Sequence, residues 1–265
     1  MPFIETDGIR YYTFESLADE GVAQAVFTRQ GGVSPKPWAG LNVGGTVGDD
    51  PARVIENRQR AFRAAGRAPE SLYDVWLVHG NEVVCTESPR LQHEPHKKAD
   101  ALLTDRPQVT LFMRFADCVP ILLFDPVRRV VGLVHAGWQG AIRRTAGAAV
   151  EAMQARYASN SEDLLAGIGP SIGAHHYDVG PEVAAQVRQT FGQDAGKLLT
   201  AHPQNGASRV QFDLWAANRL ILEQCGVRQI EIARICTACH LEDWYSHRGE
   251  GGRTGRFGAL IGLKG

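Results

Sequence analysis

Five short β-rich runs follow one another between residues 75 and 134 with no helical pattern between them. They are Val75–Leu77, Val83–Thr86, Val109–Arg114, Ile121–Phe124 and Val130–Val134, each bounded by Gly, Pro, Asp or Asn. This cluster excludes the strict strand–helix–strand alternation of a Rossmann fold. Accordingly, no Gly-x-Gly-x-x-Gly turn and no Walker loop follows any run. Three further runs, Val22–Thr28, Ile230–Ile235 and Ala259–Leu263, lie outside the cluster. Helical patterns interleave with them. Asp50-Pro51 places an N-cap residue before a proline at the first helical position and opens a helix to about Ala65. Ile142–Arg156, Pro181–Phe191 and Asp213–Gln224 are the other helical candidates. The chain reads as α+β.

No repeat, low-complexity tract or linker divides the 265 residues, so we read one domain over 1–265. The net charge of −1 argues against nucleic acid, because neutralising phosphates needs a basic surplus. No apolar stretch approaches the ~18 residues of a spanning helix. Residues 1–12 carry Glu5 and Asp7 and no apolar core, so the expectation is a cytoplasmic protein without an export signal or membrane partner. Five cysteines, at 85, 118, 225, 236 and 239, cannot all pair. At least one thiol is free for packing or for chemistry.

Three segments carry candidate chemistry. His79 follows Val75–Leu77, Cys118 precedes Ile121–Phe124, and His135 follows Val130–Val134. All three stand at strand ends, where side chains from different strands can converge. Two histidines and a thiolate form a zinc set with an open fourth position. The same trio could be a cysteine nucleophile activated by histidine. The residue types leave both readings open. Elsewhere, Val54, Arg58 and Phe62 share one helix face, so Arg58 either snorkels along the core to a carboxylate or reaches an anionic ligand.

Ten short motifs occur in one order over nearly the whole chain. They are Phe27-Thr28-Arg29-Gln30-Gly31-Gly32-Val33-Ser34, Leu41-Asn42, Glu56-Asn57-Arg58, Val78-His79-Gly80, Ala116-Asp117-Cys118, His135-Ala136-Gly137-Trp138, Gly169-Pro170-Ser171-Ile172-Gly173, Cys236-Thr237, Ser246-His247-Arg248 and Gly255-Arg256. Together they resemble the YfiH family, also called the laccase-domain or polyphenol oxidase family, which includes purine nucleoside phosphorylases. The resemblance implies a single α+β domain with two mixed β-sheets flanked by helices, shared with certain Cys–His toxin deamidases. It makes His79, Cys118 and His135 the zinc-binding catalytic set. It implies phosphorolysis of adenosine, inosine and methylthioadenosine, and deamination of adenosine. Two departures stand out. Leu77-Val78-His79 replaces the usual Gln-Val-His, and Trp138-Gln139-Gly140 replaces Trp-Arg-Gly. The missing arginine shifts the expected anion contacts to Arg29 and Arg58. Asp117 is a candidate general acid or base, or else a turn residue capping a backbone N–H. Asn42, His247 and Arg248 are candidate substrate contacts. The small-molecule partners expected are a purine nucleoside and phosphate, handled by a monomer or weak homo-oligomer.

Rival readings use the same residues. Copper binds such donors more tightly than zinc, so a polyphenol oxidase is one. The nine histidines contain no His-x-His, which argues against a multicopper cluster. A Cys118/His135 hydrolase editing a peptidoglycan precursor is another. Cys236-Thr237-Ala238-Cys239-His240 matches a c-type haem attachment pattern, but without an export signal. A zinc ribbon needs a second Cys-x-x-Cys, which the chain lacks. Cys236 belongs to a family motif and Cys239 is expected to be incidental, with a redox disulfide between them as an alternative that lacks the thioredoxin-like βαβ context. Cys85 and Cys225 are expected to pack as small apolar residues. His93 and His96 are expected in an exposed turn, and His175-His176 on the surface.

Overall fold

Continuous apolar runs such as Val119–Phe124 arise where both faces of a strand are covered. The computed structural model describes residues 2–18, 21–91, 93–202 and 206–265. It covers those strands with four layers. One six-stranded sheet has the order β1 (Phe3–Thr6), β2 (Ile9–Tyr12), β3 (Val22–Phe27), β15 (Phe257–Leu263), β7 (Thr110–Phe115) and β4 (Leu72–Tyr73). The second has the order β14 (Gln229–Ile232), β10 (Leu165–Ile168), β8 (Val119–Asp125), β9 (Val130–Ala136), β6 (Ala101–Thr104) and β5 (Val83–Cys85). Both are mixed: β4–β7, β10–β14 and β5–β6 are parallel pairs, and the other pairs are antiparallel. A third, antiparallel sheet joins β11 (Asp178–Val179), β13 (Gly206–Phe212) and β12 (Leu199–His202).

The side-chain period of two sorts each strand between cores. Leu122 and Phe124 of β8, Val131 and Leu133 of β9, and Leu111, Met113 and Phe115 of β7 meet between the two large sheets. The helix α1 (Glu15–Ala18) adds Leu17 to the same layer. Val119, Ile121 and Leu123 turn the other way. They pack under α3 (Trp138–Ile142), α4 (Thr145–Tyr157), α5 (Pro181–Phe191), α6 (Ala195–Leu198) and α7 (Leu214–Gln224). On the far side of the first sheet, Phe112 and Leu260 meet Phe62 of α2 (Pro51–Ala64). The predicted cap forms, Asp50 accepting from the Ala52 N–H, and Asp213, expected as the first helical residue, instead caps its helix by accepting from the Ala216 N–H.

The structure corrects several expected elements. Val75–Leu77 is not a strand; Trp76 makes one isolated bridge to Lys98, and the Val75 carbonyl is taken by the Arg114 guanidinium at 2.7 Å. The helix expected over Ile142–Arg156 is two helices, broken at Arg144 with φ 55°. Thr145 holds the break by donating to the carbonyls of Gly80 and Gly140. Ile230–Ile235 stops at Ile232, before Arg234 with φ 52°. Conversely, β9 runs on to Ala136 and carries His135 on the strand itself. No expected run corresponds to β1, β2, β4, β6, β10 or the third sheet. Cys85 is exposed, and only Cys225 is half-buried against the helical layer, correcting the shared packing role expected for them. His93 is exposed as expected, while His96 is half-buried with Nε2 3.1 Å from Asp74. Among the described residues, no helix is long and apolar enough to cross a membrane.

Candidate active site

The turn Ala116-Asp117-Cys118 carries the chain from β7 in one large sheet to β8 in the other. Cys118 therefore emerges at the rim of the layer between the sheets. Val119 is paired with Ala136 of the neighbouring β9, so the end of β9 arrives beside Cys118. His135 follows the alternation of Val131 and Leu133 and faces the inter-sheet side, with its ring 5.4 Å from Phe115. Gly137 comes next. A Cβ at this position would lie 2.7 Å from Cys118 Sγ, so the sulfur occupies the space that only glycine leaves. His79 arrives from the loop before β5, and its ring centroid is 5.0 Å from that of His135. One donor atom from each of His79, Cys118 and His135 lies within 4.8 Å of the others. His79 and Asp117 both hold positive φ, 55° and 82°, a conformation that costs non-glycine residues energy and recurs at functional sites.

Behind the trio stands Asp100, fully buried at the start of β6. Its Oδ1 is 2.9 Å from His135 Nδ1, and its Oδ2 accepts the N–H groups of Val78 and Gly80 at 3.1 and 2.7 Å. One carboxylate thus orients both histidines, His135 directly and His79 through its flanking amides. Nδ1 of His135 is committed to Asp100, which leaves Nε2 as the donor toward Cys118 and the cavity. Burial alone would push the Cys118 thiol up. The charge of His135 and hydrogen bonds from His135 and His79 outweigh it and bring the thiol down to about 6. Burial alone would lower His135, but the Cys118 thiolate and Asp100 raise it to about 9. Burial likewise opposes ionisation of Asp100, and His135 with the two amides holds it below the usual carboxylate range. Two nitrogens and one thiolate facing open space fit a catalytic zinc ion, which takes three protein ligands and keeps one position free.

The trio opens into a cavity of about 600 Å³. Trp76, Trp138 and Tyr177 give it flat apolar surface, and Arg114, Arg248 and Arg256 give it cations. His247, Asp117 and Gln139 also line it. Asp117 accepts from Thr237 Oγ1 and from the Arg248 N–H, both at 2.7 Å. Both carboxylate oxygens are therefore engaged, Oδ2 with the loop that presents His247 and Arg248 and Oδ1 with the turn of Thr237.

Three expected substrate contacts lie outside the cavity. Arg29 stacks on Tyr245, pairs with Glu250 at 3.1 Å, and donates to the carbonyls of Ala39 and Leu241. Arg58 donates to the Val43 carbonyl at 3.0 Å and faces the buried Asp74 at 3.6 Å, the core-snorkelling arrangement. Asn42 is fully buried, and its Oδ1 accepts from the N–H groups of Gly44 and Arg256. Asn42 thus shapes the wall without touching the cavity. Arg114, Arg256 and Asp100 were missed as candidates. Arg256 had a signal in the Gly255-Arg256 motif, and Arg114 in a charge ending an apolar strand. Asp100 had only the oddity of an acid opening the apolar run Ala101-Leu102-Leu103.

The chain resembles known proteins along its length. Residues 23–264 match the family model described as multi-copper polyphenol oxidoreductase laccase. A purine nucleoside phosphorylase of Deinococcus radiodurans is 39% identical over 242 residues, covering 91% of this chain and 89% of the relative. The purine nucleoside phosphorylase YfiH of Escherichia coli is 37% identical, covering 92% and 95%. The crystal structure of YlmD from Geobacillus stearothermophilus superposes with a TM-score of 0.91 at 32% identity, covering 100% of this chain and 99% of that one. The α+β fold with two mixed sheets is the fold of these proteins.

Proposed function

The chain belongs to the multi-copper polyphenol oxidoreductase laccase family, alongside the YfiH and YlmD proteins, and we propose that it is a zinc-dependent purine nucleoside phosphorylase. The supporting observation is the cavity: three metal donors at one wall, three arginines around it, and aromatic faces between them. Its volume, about 600 Å³, lies within the range of small-molecule sites. Trp76, Trp138 and Tyr177 offer faces on which a purine stacks. Arg114, Arg248 and Arg256 offer charge-assisted hydrogen bonds to phosphate, taking the part expected of Arg29 and Arg58.

His79, Cys118 and His135 would hold the metal, and Asp100, through Nδ1, would keep His135 in the ligating tautomer. When bound there, zinc would activate a water for attack at the amino-bearing carbon in deamination and, with phosphate present, would help position the phosphate. The arginines orient phosphate toward the anomeric carbon of the ribose. As the new C–O bond forms, the C–N bond breaks and the base leaves with the electron pair. The departing purine then takes up a proton. His247 is the lining histidine outside the metal set and is the donor this reading assigns. Asp117 holds the loop of His247 and Arg248 rather than exchanging protons.

The test is direct. The purified protein should carry zinc and release hypoxanthine from inosine only when phosphate is present. A protein without phosphate-dependent base release overturns the reading. Adenosine and methylthioadenosine should be cleaved likewise, and adenosine should also yield inosine.

One observation favours a second reading. Asp100, His135 and Cys118 form a connected chain of acid, imidazole and thiolate, as in cysteine hydrolases. A hydrolase acting on a peptidoglycan precursor needs no metal. Turnover that survives chelation but stops on alkylation of Cys118 selects it; turnover lost on chelation and restored by zinc rejects it.

A further inference from the structure

A second set of soft donors lies outside the cavity. His175 and His176 follow the Gly169–Gly173 turn, and Cys236 and Cys239 belong to the turn beyond β14. The two turns are tied by backbone hydrogen bonds, Ser171 N–H to the Ile235 carbonyl and Thr237 N–H to the Ser171 carbonyl. The four donor atoms lie within 4.8 Å of one another. His175 Nε2 is 3.0 Å from Cys239 Sγ, and His176 Nδ1 is 3.6 Å from Cys239 Sγ and 3.8 Å from Cys236 Sγ. Tetrahedral zinc, with Zn–S ~2.3 Å and Zn–N ~2.0 Å, sets an S···N edge of about 3.5 Å, which these separations straddle. The Gly173 N–H donates to Cys236 Sγ at 3.2 Å, an outer contact of the kind that supports a metal-bound thiolate. Gly173 also makes room for the set. A Cβ there would lie 2.7 Å from His175 Cε1 and 3.3 Å from Cys236 Cβ.

We propose that His175, His176, Cys236 and Cys239 bind a second, structural zinc ion, separate from the one proposed at His79, Cys118 and His135. The Cys-x-x-Cys lacks a partner pair in sequence, and the fold supplies the missing ligands from two consecutive histidines on a neighbouring turn. Four protein ligands fill the tetrahedral shell, so this ion has no position for water or substrate. Its role is to staple two turns. Both of them grip Asp117: the Ile172 N–H donates to the Asp117 carbonyl at 3.0 Å, and Thr237 Oγ1 donates to Asp117 Oδ1 at 2.7 Å. The staple thus fixes the residue that precedes Cys118.

The experiment counts zinc in the full chain purified without chelators. Wild type should hold two zinc ions per chain. Cys239→Ser and His175→Ala should each hold one, and Cys118→Ser should also hold one. Cobalt in Cys118→Ser should show thiolate-to-metal absorption for two sulfurs, and in Cys239→Ser for the single Cys118 sulfur. Zinc retained in the outer-site variants reports that they fold. A single zinc in wild type, lost in Cys118→Ser and untouched in Cys239→Ser, overturns the proposal. So does a Cys236–Cys239 disulfide, read as two fewer titratable thiols in the protein as purified. A protein with two zinc ions and no nucleoside turnover leaves the staple standing and refutes only the proposed activity.

Discussion

The two His/Cys clusters meet at Asp117 yet follow different plans. The inner cluster draws three donors from three strand ends and loops, braces them with the buried Asp100, and faces a cavity. The outer cluster draws four donors from two surface turns; Cys236 is buried and the other three are exposed. Charge separates them further. Burial opposes ionisation, but His135 and His79 lower the inner thiol, whereas burial and the neighbouring Cys236 raise the Cys239 thiol. An open coordination position demands rigid donors with a carboxylate behind them. A closed shell needs only two turns brought side by side.

The sharpest way to break this contrast is to remove one sulfur from each cluster. Cys118→Ser should cost more than about 100-fold in phosphorolysis, beyond the ~10–100-fold typical of losing an outer partner of a ligand. Cys239→Ser should keep wild-type turnover at 25 °C and lower the melting temperature. Hypoxanthine release and a thermal scan on both variants decide; equal losses of turnover erase the distinction.

Asp100→Asn comes next, at about 10–100-fold in kcat. The amide cannot both accept from Val78 and Gly80 and hold His135 with Nδ1 protonated. The stoichiometry of the outer zinc should not change.

Arg256→Ala should raise the KM for phosphate about tenfold, near 1.4 kcal/mol, with the KM for inosine little altered. A matched rise in both constants would place Arg256 with the nucleoside instead.

The two glycines form a matched pair. Gly137→Ala should weaken zinc only at the inner site and Gly173→Ala only at the outer one, read by metal content during dialysis against a mild chelator. Cross-loss would mean that the sites are not independent.

The smallest effect concerns the metal-stripped protein. Cys118 is lowered, so its thiolate is present at pH 7 and protonates as pH falls through about 6. Cys239 is raised, so its thiolate appears only above the ordinary thiol range. Iodoacetamide labelling followed by peptide mapping should therefore show Cys118 reacting at pH 7 and Cys239 lagging until alkaline pH.

Legibility in the sequence followed burial. The runs at 119–124 and 130–134 were plain because both faces of β8 and β9 are covered. Phe3–Thr6 was not, because its residues are half-buried or exposed and mix Glu and Thr with Phe and Ile. His79, Cys118 and His135 stood out as strand-end donors in motifs. Arg29 and Arg58 drew attention as arginines in motifs, yet backbone carbonyls and acidic partners already occupy them. Arg114 and Arg256 carry only weak local signals, a charge at a strand end and a two-residue motif, because no short-range pattern marks a side chain as facing a cavity.

The sequence by itself determined the α+β class, the cap of the first long helix, and the three residues that could ligate a metal. Local propensity, apolar runs and short motifs encode such things within a few residues. Only the tertiary structure decided that Asp100 stands behind His135, 35 positions away, and that His176 lies beside Cys236, 60 positions away. Those meetings depend on strand order and sheet crossing. Burial of both sheet faces sets that order globally, so no local segment carries it.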